Sequence, residues 1–183
     1  MIKTDVYWIQ GPWSGRLATS SLPFGGAWLE DDMASWRQEG VDIVVSLLTQ
    51  AEIKDADLGQ QPESCSARGM EMISFPIWDR SVPSSREEVL ELVRYLDRKL
   101  REEKKILIHC RAGIGRSSLL AACLLVYSGL DWEAALQNIS RVRGCPVPDT
   151  LEQRDWVAKF ARFLRDLPDS ANSISESHVT DDS

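Results

Sequence analysis

The 183-residue chain is poor in the features that mark membrane proteins, nucleic-acid binders and disulfide frameworks. No apolar run approaches the roughly 20 residues that span a bilayer, so no membrane partner is expected. The opening residues, Met1-Ile2-Lys3-Thr4-Asp5, have no basic segment followed by an apolar one, and no secretion signal is expected. Cations are in deficit: 21 Lys and Arg against 28 Asp and Glu give a net charge of −7, which argues against nucleic acid as a general partner. Only two histidines are present, and His178 lies in a polar terminal stretch, so a catalytic pair of histidines is not expected. The four cysteines, Cys65, Cys110, Cys123 and Cys145, match no zinc spacing, and neither a metal nor another cofactor is expected. There is no internal repeat.

What is present is the composition of a globular domain. Apolar residues make up 43% and charged residues 27% of the chain, and its length suffices for one sizeable core. Residues 1–168 read as one domain. Residues 169–183 are polar, acidic and Ser-rich, and read as a disordered tail. Strands are expected over 6–9, near 16–18, over 41–48, 70–75 and 105–109, where apolar or β-branched runs stop at Gly, Pro or polar clusters. Helices are expected over 28–39, across the polar stretch 51–68, and over 84–101, 116–128, 131–143 and 150–164. The 84–101 helix is the clearest, with Val89, Val93, Leu96 and Leu100 on one face and a Ser/Glu capping pattern at its start. Alternating strands and helices predict an α/β sandwich with a largely parallel central sheet flanked by helices. A binding site is then expected at the carboxyl ends of the strands.

One stretch falls at such an end. His109-Cys110-Arg111-Ala112-Gly113-Ile114-Gly115-Arg116-Ser117 joins a short apolar strand to an apolar helix. A strand–turn–helix of this kind gathers free backbone N–H groups and the positive end of a helix dipole on one point, and so cradles anions. The residue types fit phosphoryl transfer. A thiol near a helix N-terminus and cations ionises readily and becomes a nucleophile, which nominates Cys110. Glycines at 113 and 115 let the amides of Arg111, Ala112, Gly113, Ile114, Gly115 and Arg116 turn inward onto a phosphate. Arg116 adds a planar two-pronged donor that matches two phosphate oxygens. Ser117 can donate a hydrogen bond to the sulfur and help it leave in a second step. His109 is expected to bond loop carbonyls and hold Cys110 in place. A thiolate nucleophile needs a reducing compartment, so a cytoplasmic location is expected. Cys123 reads as a core residue. Cys65 and Cys145 read as isolated thiols, either of which could pair with an oxidised Cys110.

The nine residues from His109 to Ser117 resemble the signature of the cysteine-based protein tyrosine phosphatase superfamily: His, Cys, five residues, Arg, then Ser or Thr. The compact chain is similar to the dual-specificity branch, which includes the cyclin-dependent-kinase-associated phosphatases and their bacterial relatives. The resemblance implies a monomeric protein phosphatase acting on phosphotyrosine, phosphoserine or phosphothreonine through a phosphocysteine. It also implies an Asp that protonates the leaving oxygen, on a loop some tens of residues before the cysteine. Asp79 occupies that place, in Ile77-Trp78-Asp79-Arg80-Ser81-Val82 between Pro76 and Pro83. The family's Trp-Pro-Asp triplet is absent, and Trp78-Asp79 supplies two of its three residue types. Trp78 could line the pocket rim or pack the loop onto the core, and Arg111 could meet a second acidic group of the substrate or stay in solvent. In some relatives a downstream Gln positions the hydrolytic water. Gln153 could do so here, or could close a capping box with Thr150. Two other readings remain: a phosphatase of small molecules (a phosphoinositide, an inositol phosphate or an RNA 5′ end), and a non-catalytic phosphopeptide-binding module. Uncharged Ala112 and Ile114 favour the phosphoprotein over highly charged small molecules.

Overall fold

A computed structural model describes residues 3–168. The expected tail over 169–183 lies outside the described residues. Five strands form one mixed sheet: β1 (Tyr7–Ile9), β2 (Arg16–Ser20), β3 (Ile43–Ser46), β4 (Glu71–Ser74) and β5 (Lys105–His109), in the order β1-β2-β5-β3-β4. Only β1 runs antiparallel, paired with β2 at the sheet edge. β3 is buried throughout and β5 nearly so, as expected of central parallel strands covered on both faces.

The helices divide between the two faces. One core cluster joins Ile106, Ile108 and Cys110 to apolar residues of α4 (Arg86–Arg101), α5 (Arg116–Tyr127), α6 (Trp132–Arg143) and α7 (Leu151–Arg165). The other joins Leu107 to Met33 and Trp36 of α1 (Leu29–Gln38) and Cys65 of α3 (Gln61–Ala67). α5 is the central helix, buried from Arg116 through Leu125. Cys123 is fully buried there among core residues, and desolvation pushes its thiol pKa well up.

The expected elements appear with altered bounds. The strand expected over 41–48 is shorter, because Val41, Leu47 and Leu48 are buried outside the ladder. The helix expected across 51–68 is two: α2 (Gln50–Asp55) and α3. Asp57 turns into the left-handed region at φ 52° between them, Leu58 plugs the second core cluster, and Pro62 sits in the first turn of α3, where its missing N–H does no harm. Ser85, Asp131 and Thr150 cap α4, α6 and α7, and Gly144 ends α6 at φ 68°.

Asp32, 1% exposed, ties the chain before β1 to the segment after β2. It accepts from Thr4 N at 2.9 Å, Thr4 Oγ1 at 2.6 Å and Phe24 N at 2.7 Å. Removing it leaves the two buried Thr4 donors without an acceptor. Asp32→Ala is therefore expected to lower the free energy of unfolding by about 3 kcal/mol. Urea titration measures it; a loss below about 1 kcal/mol would mean that these bonds do not secure the two segments.

Candidate active site

Residues 110–115 leave the carboxyl end of β5 and turn into α5. Cys110 is 2% exposed. Gly113 N donates to its Sγ at 3.3 Å, and Sγ lies within hydrogen-bond distance of Ser117 Oγ, at 3.4 Å. The two glycines act differently. Gly113 has φ +68°, and a Cβ there would lie 2.5 Å from the Ser20 carbonyl, so both backbone and space require glycine. Gly115 has an ordinary φ of −82°, but a Cβ would come within 2.9 Å of Asp149 Cβ and Gln153 Oε1. α5 has no side-chain N-cap, so its first amides are left to the loop. The loop is anchored on its outer side where Leu22 N donates to the Arg111 carbonyl at 3.2 Å. The Arg111 side chain is exposed.

Arg116 is almost wholly buried, at 1% exposure. Its Nη1 and Nη2 make a two-pronged pair with Glu52, at 2.9 and 2.8 Å. Nη1 also donates to the Ile77 carbonyl at 2.7 Å and the Leu47 carbonyl at 3.4 Å, and Nη2 to Asp79 Oδ1 at 3.0 Å. Glu52 is the functional residue that sequence reasoning missed. Its signal was available: Thr49-x-x-Glu52, directly after the third strand, is a capping box, which the structure forms at the start of α2. The same carboxylate thus caps a helix and holds the arginine. Burial works to raise the Glu52 pKa, but the Arg116 and Thr49 hydrogen bonds outweigh it and hold the group at about 2, against an ordinary 4.5.

The loop over 76–83 arrives from β4. Asp79 reaches Arg116 with a half-exposed side chain. Trp78 is 74% exposed, so it does not pack the loop onto the core. Arg80, at φ 58°, pairs with Asp149 at 3.1 Å. Gln153 is fully buried, and its Oε1 accepts from the amides of Asp149 and Thr150, completing the capping box of α7. Its Nε2 donates to the Ser81 carbonyl at 3.0 Å. The residue therefore joins α7 to the Asp79 loop while its Oε1 stands against Gly115.

His109 and Cys65 both lie on the side of β5 away from the Cys110 sulfur. Successive residues of a strand face opposite sides, so His109 points away from Cys110 into the second cluster, near Trp36, with Nε2 3.2 Å from Gln61 Nε2. Burial pushes its pKa down to about 3, outweighing a hydrogen bond with the Cys110 backbone that works to raise it, and the Arg116 charge adds a smaller push down. Cys65 lies on that same opposite side against Met33, its pKa raised to about 11 by burial, and is not placed to pair with Cys110. Among the described residues no group of three or more His, Cys, Asp and Glu side chains is arranged to hold a metal, and no helix is long and apolar enough to cross a membrane.

The Glu52 shift carries a pH signature. Its folded pKa is depressed, so the stability it contributes is present above the unfolded value near 4.5 and is lost as pH falls from there toward 2. That contribution is roughly 2–3 kcal/mol at neutral pH. Glu52→Gln is expected to lower stability at pH 7 by that order and to flatten the dependence between pH 5 and pH 2, in denaturant unfolding run across this range. A parallel pH dependence in the two proteins would remove Glu52 from this role.

A family model described as "Polymorphic toxin system, DSP-PTPase phosphatase" matches residues 18–130. The chain is 27% identical to cyclin-dependent kinase inhibitor 3 of Rattus norvegicus over 151 residues, which cover 81% of this chain and 71% of that protein. The crystal structure of Tk-PTP in its active form is 31% identical, matches with a TM-score of 0.71, and is covered to 96% by 86% of this chain. Kinase associated phosphatase with its catalytic-site cysteine changed to serine, at 22% identity, shares the fold with a TM-score of 0.81 over 92% of this chain and 99% of that one. The signature loop lies inside the matched region, and the chain belongs to the DSP-PTPase phosphatases, the dual-specificity branch of the cysteine-based tyrosine phosphatases.

Proposed function

We propose that this phosphatase hydrolyses phosphoproteins in the cytoplasm through a covalent phosphocysteine, with Cys110 as nucleophile, Arg116 as phosphate clamp and Asp79 as general acid. The carrying observation is the convergence at one loop of the Cys110 sulfur, an amide aimed at it, and an arginine whose outer edge is held by Asp79. The phosphate of the substrate takes the amides of 111–116 and the Arg116 edge. Cys110 Sγ attacks phosphorus in line, the phosphorus–oxygen bond to the side chain breaks, and Asp79 gives its proton to the departing oxygen. Water then attacks phosphorus, Asp79 takes a proton from it, and the sulfur leaves with the Ser117 hydroxyl beside it. Inorganic phosphate is released.

A protein substrate is supported by the uncharged side chains of Ala112 and Ile114 inside the loop, which offer no cation to a second or third phosphate. The similarity to kinase associated phosphatase, a relative whose name ties it to a protein partner, points the same way. A small phosphorylated molecule is the competing substrate. The deciding experiment is phosphate release, without added metal, from phosphotyrosine peptides, phosphothreonine peptides and phosphoinositides. Release from peptides at least tenfold faster is the expected result; preference for the lipid overturns the protein reading.

Two variants test the roles. Cys110→Ser is expected to abolish turnover while still binding inorganic phosphate, and a phosphoenzyme trapped on any other residue would overturn the nucleophile. Asp79→Asn is expected to slow phosphopeptide hydrolysis by about 10²–10⁴-fold, the usual loss of a general acid, and to slow an activated aryl phosphate much less, because a good leaving group needs no proton. Equal losses on both substrates would mean that Asp79 only shapes the loop.

A further inference from the structure

The Ala112–Gly113 peptide unit is held from both ends. Its N–H donates to Cys110 Sγ at 3.3 Å, and its carbonyl accepts from Arg143 Nη2 at 3.2 Å. Arg143 is the last residue of α6, where a cation complements the negative end of the helix dipole. Its guanidinium carbon lies 3.7 Å from the centre of the Tyr7 ring in β1. Ring, guanidinium and loop carbonyl therefore link an edge strand, a helix end and the phosphate loop.

This peptide needs a hold. Gly113 has φ +68° and no Cβ, so little steric resistance keeps the preceding peptide plane from rotating. Rotated, it would present its carbonyl to a bound phosphate and withdraw the N–H, replacing attraction by repulsion. The preceding carbonyl, of Arg111, is fixed by the backbone of Leu22, but that of Ala112 is fixed by Arg143. The arrangement is not one that stability alone favours. Arg143 Nε and Nη1 are buried with no hydrogen-bond partner among the described residues. Unpaired buried donors cost on the order of 1–3 kcal/mol each, and an apolar side chain would avoid that loss.

We infer that Arg143 is a positioning residue of the phosphate loop. It acts through the Ala112 carbonyl, keeping the 112–113 peptide turned so that its N–H faces the sulfur and the phosphate that binds there. The inference rests on the phosphocysteine reading above. Arg143 touches neither substrate nor sulfur, and its contribution is to both ground-state phosphate binding and turnover.

The test compares wild type with Arg143→Met, which keeps the aliphatic stem, and Arg143→Lys, which keeps a charged donor. Hydrolysis of 4-nitrophenyl phosphate gives kcat and KM. Calorimetric titration of inorganic phosphate into the same variants on a Cys110→Ser background gives affinity apart from turnover. Arg143→Met is expected to bind phosphate about tenfold more weakly and to lose about 10–100-fold in kcat, the scale of a misplaced reacting group. Its melting temperature should stay at or above that of wild type, since the unpaired donors are gone. Arg143→Lys is expected to recover most of both losses. Met and wild-type proteins alike in phosphate affinity and kcat would overturn the inference. So would a loss in the Met variant that follows a fall in folded fraction, seen by circular dichroism at the assay temperature. Turnover by Cys110→Ser with Arg143 intact would instead sink the phosphocysteine reading, and this inference with it.

Discussion

The Arg116 guanidinium is a charge that the fold has taken out of water, and most of the site follows from where its partners must stand. An uncompensated buried cation costs several kcal/mol, so its donors need acceptors in fixed places. Glu52 takes two of them in a planar pair, and the Leu47 and Ile77 carbonyls take more. Burial works against the charge, yet the Glu52 bonds and the nearby sulfur and Asp79 outweigh it and raise the Arg116 pKa. These acceptors come from the segments that follow β3 and β4. Arginine at the start of α5 can be satisfied only if both strands end beside the phosphate loop.

The sheet supplies that alignment. Ser20 of β2 and Ser46 of β3 both stand level with His109 in the ladder, and Ser74 of β4 stands level with Ser46. Four segments therefore leave the carboxyl edge at one height. The segment after β2 packs against Gly113, the one after β3 brings Glu52, and the one after β4 brings Asp79. The connections after β2 and β3 run to one face of the sheet and the helix after β5, the strand between them, runs to the other; a crevice where neighbouring connections part is the general ligand site of open parallel sheets. Burial on both faces is what makes β3 and β5 continuous apolar runs, and so what makes them visible in the sequence.

The loop, its strand and its helix were legible because all their determinants are local: an apolar run, two glycines, a cysteine, an arginine. Partners distant in sequence were not. Glu52 announces itself only as a helix cap, and nothing local says that its carboxylate also meets Arg116. Arg143 reads as an ordinary basic residue at a helix end until the ladder sets β1 and the phosphate loop beside it. The break between α2 and α3 escaped because a polar helix carries little periodicity, though Pro62 marked it. The side on which His109 lies was legible: alternation along β5 puts it opposite Cys110.

Unequal strengths of attachment explain how one arginine can serve both structure and substrate. Glu52 meets it in a nearly water-free setting, where the pair contributes roughly 2–3 kcal/mol. Asp79 meets it with half its side chain in solvent, where such pairs contribute about 0–1 kcal/mol. The Arg80–Asp149 pair beside it has both partners well exposed and is weaker still. The firmer hold on this loop is the buried Gln153 bond to the Ser81 carbonyl, two residues beyond Asp79. Under the proposed mechanism, an anion arriving at Arg116 therefore displaces Asp79 and not Glu52. The loop stays anchored through Ser81, and the freed carboxyl remains within one side-chain swing of the leaving oxygen. The inner edge of the guanidinium is structure, and in the proposed mechanism the outer edge, held by Asp79, is the one a phosphate takes.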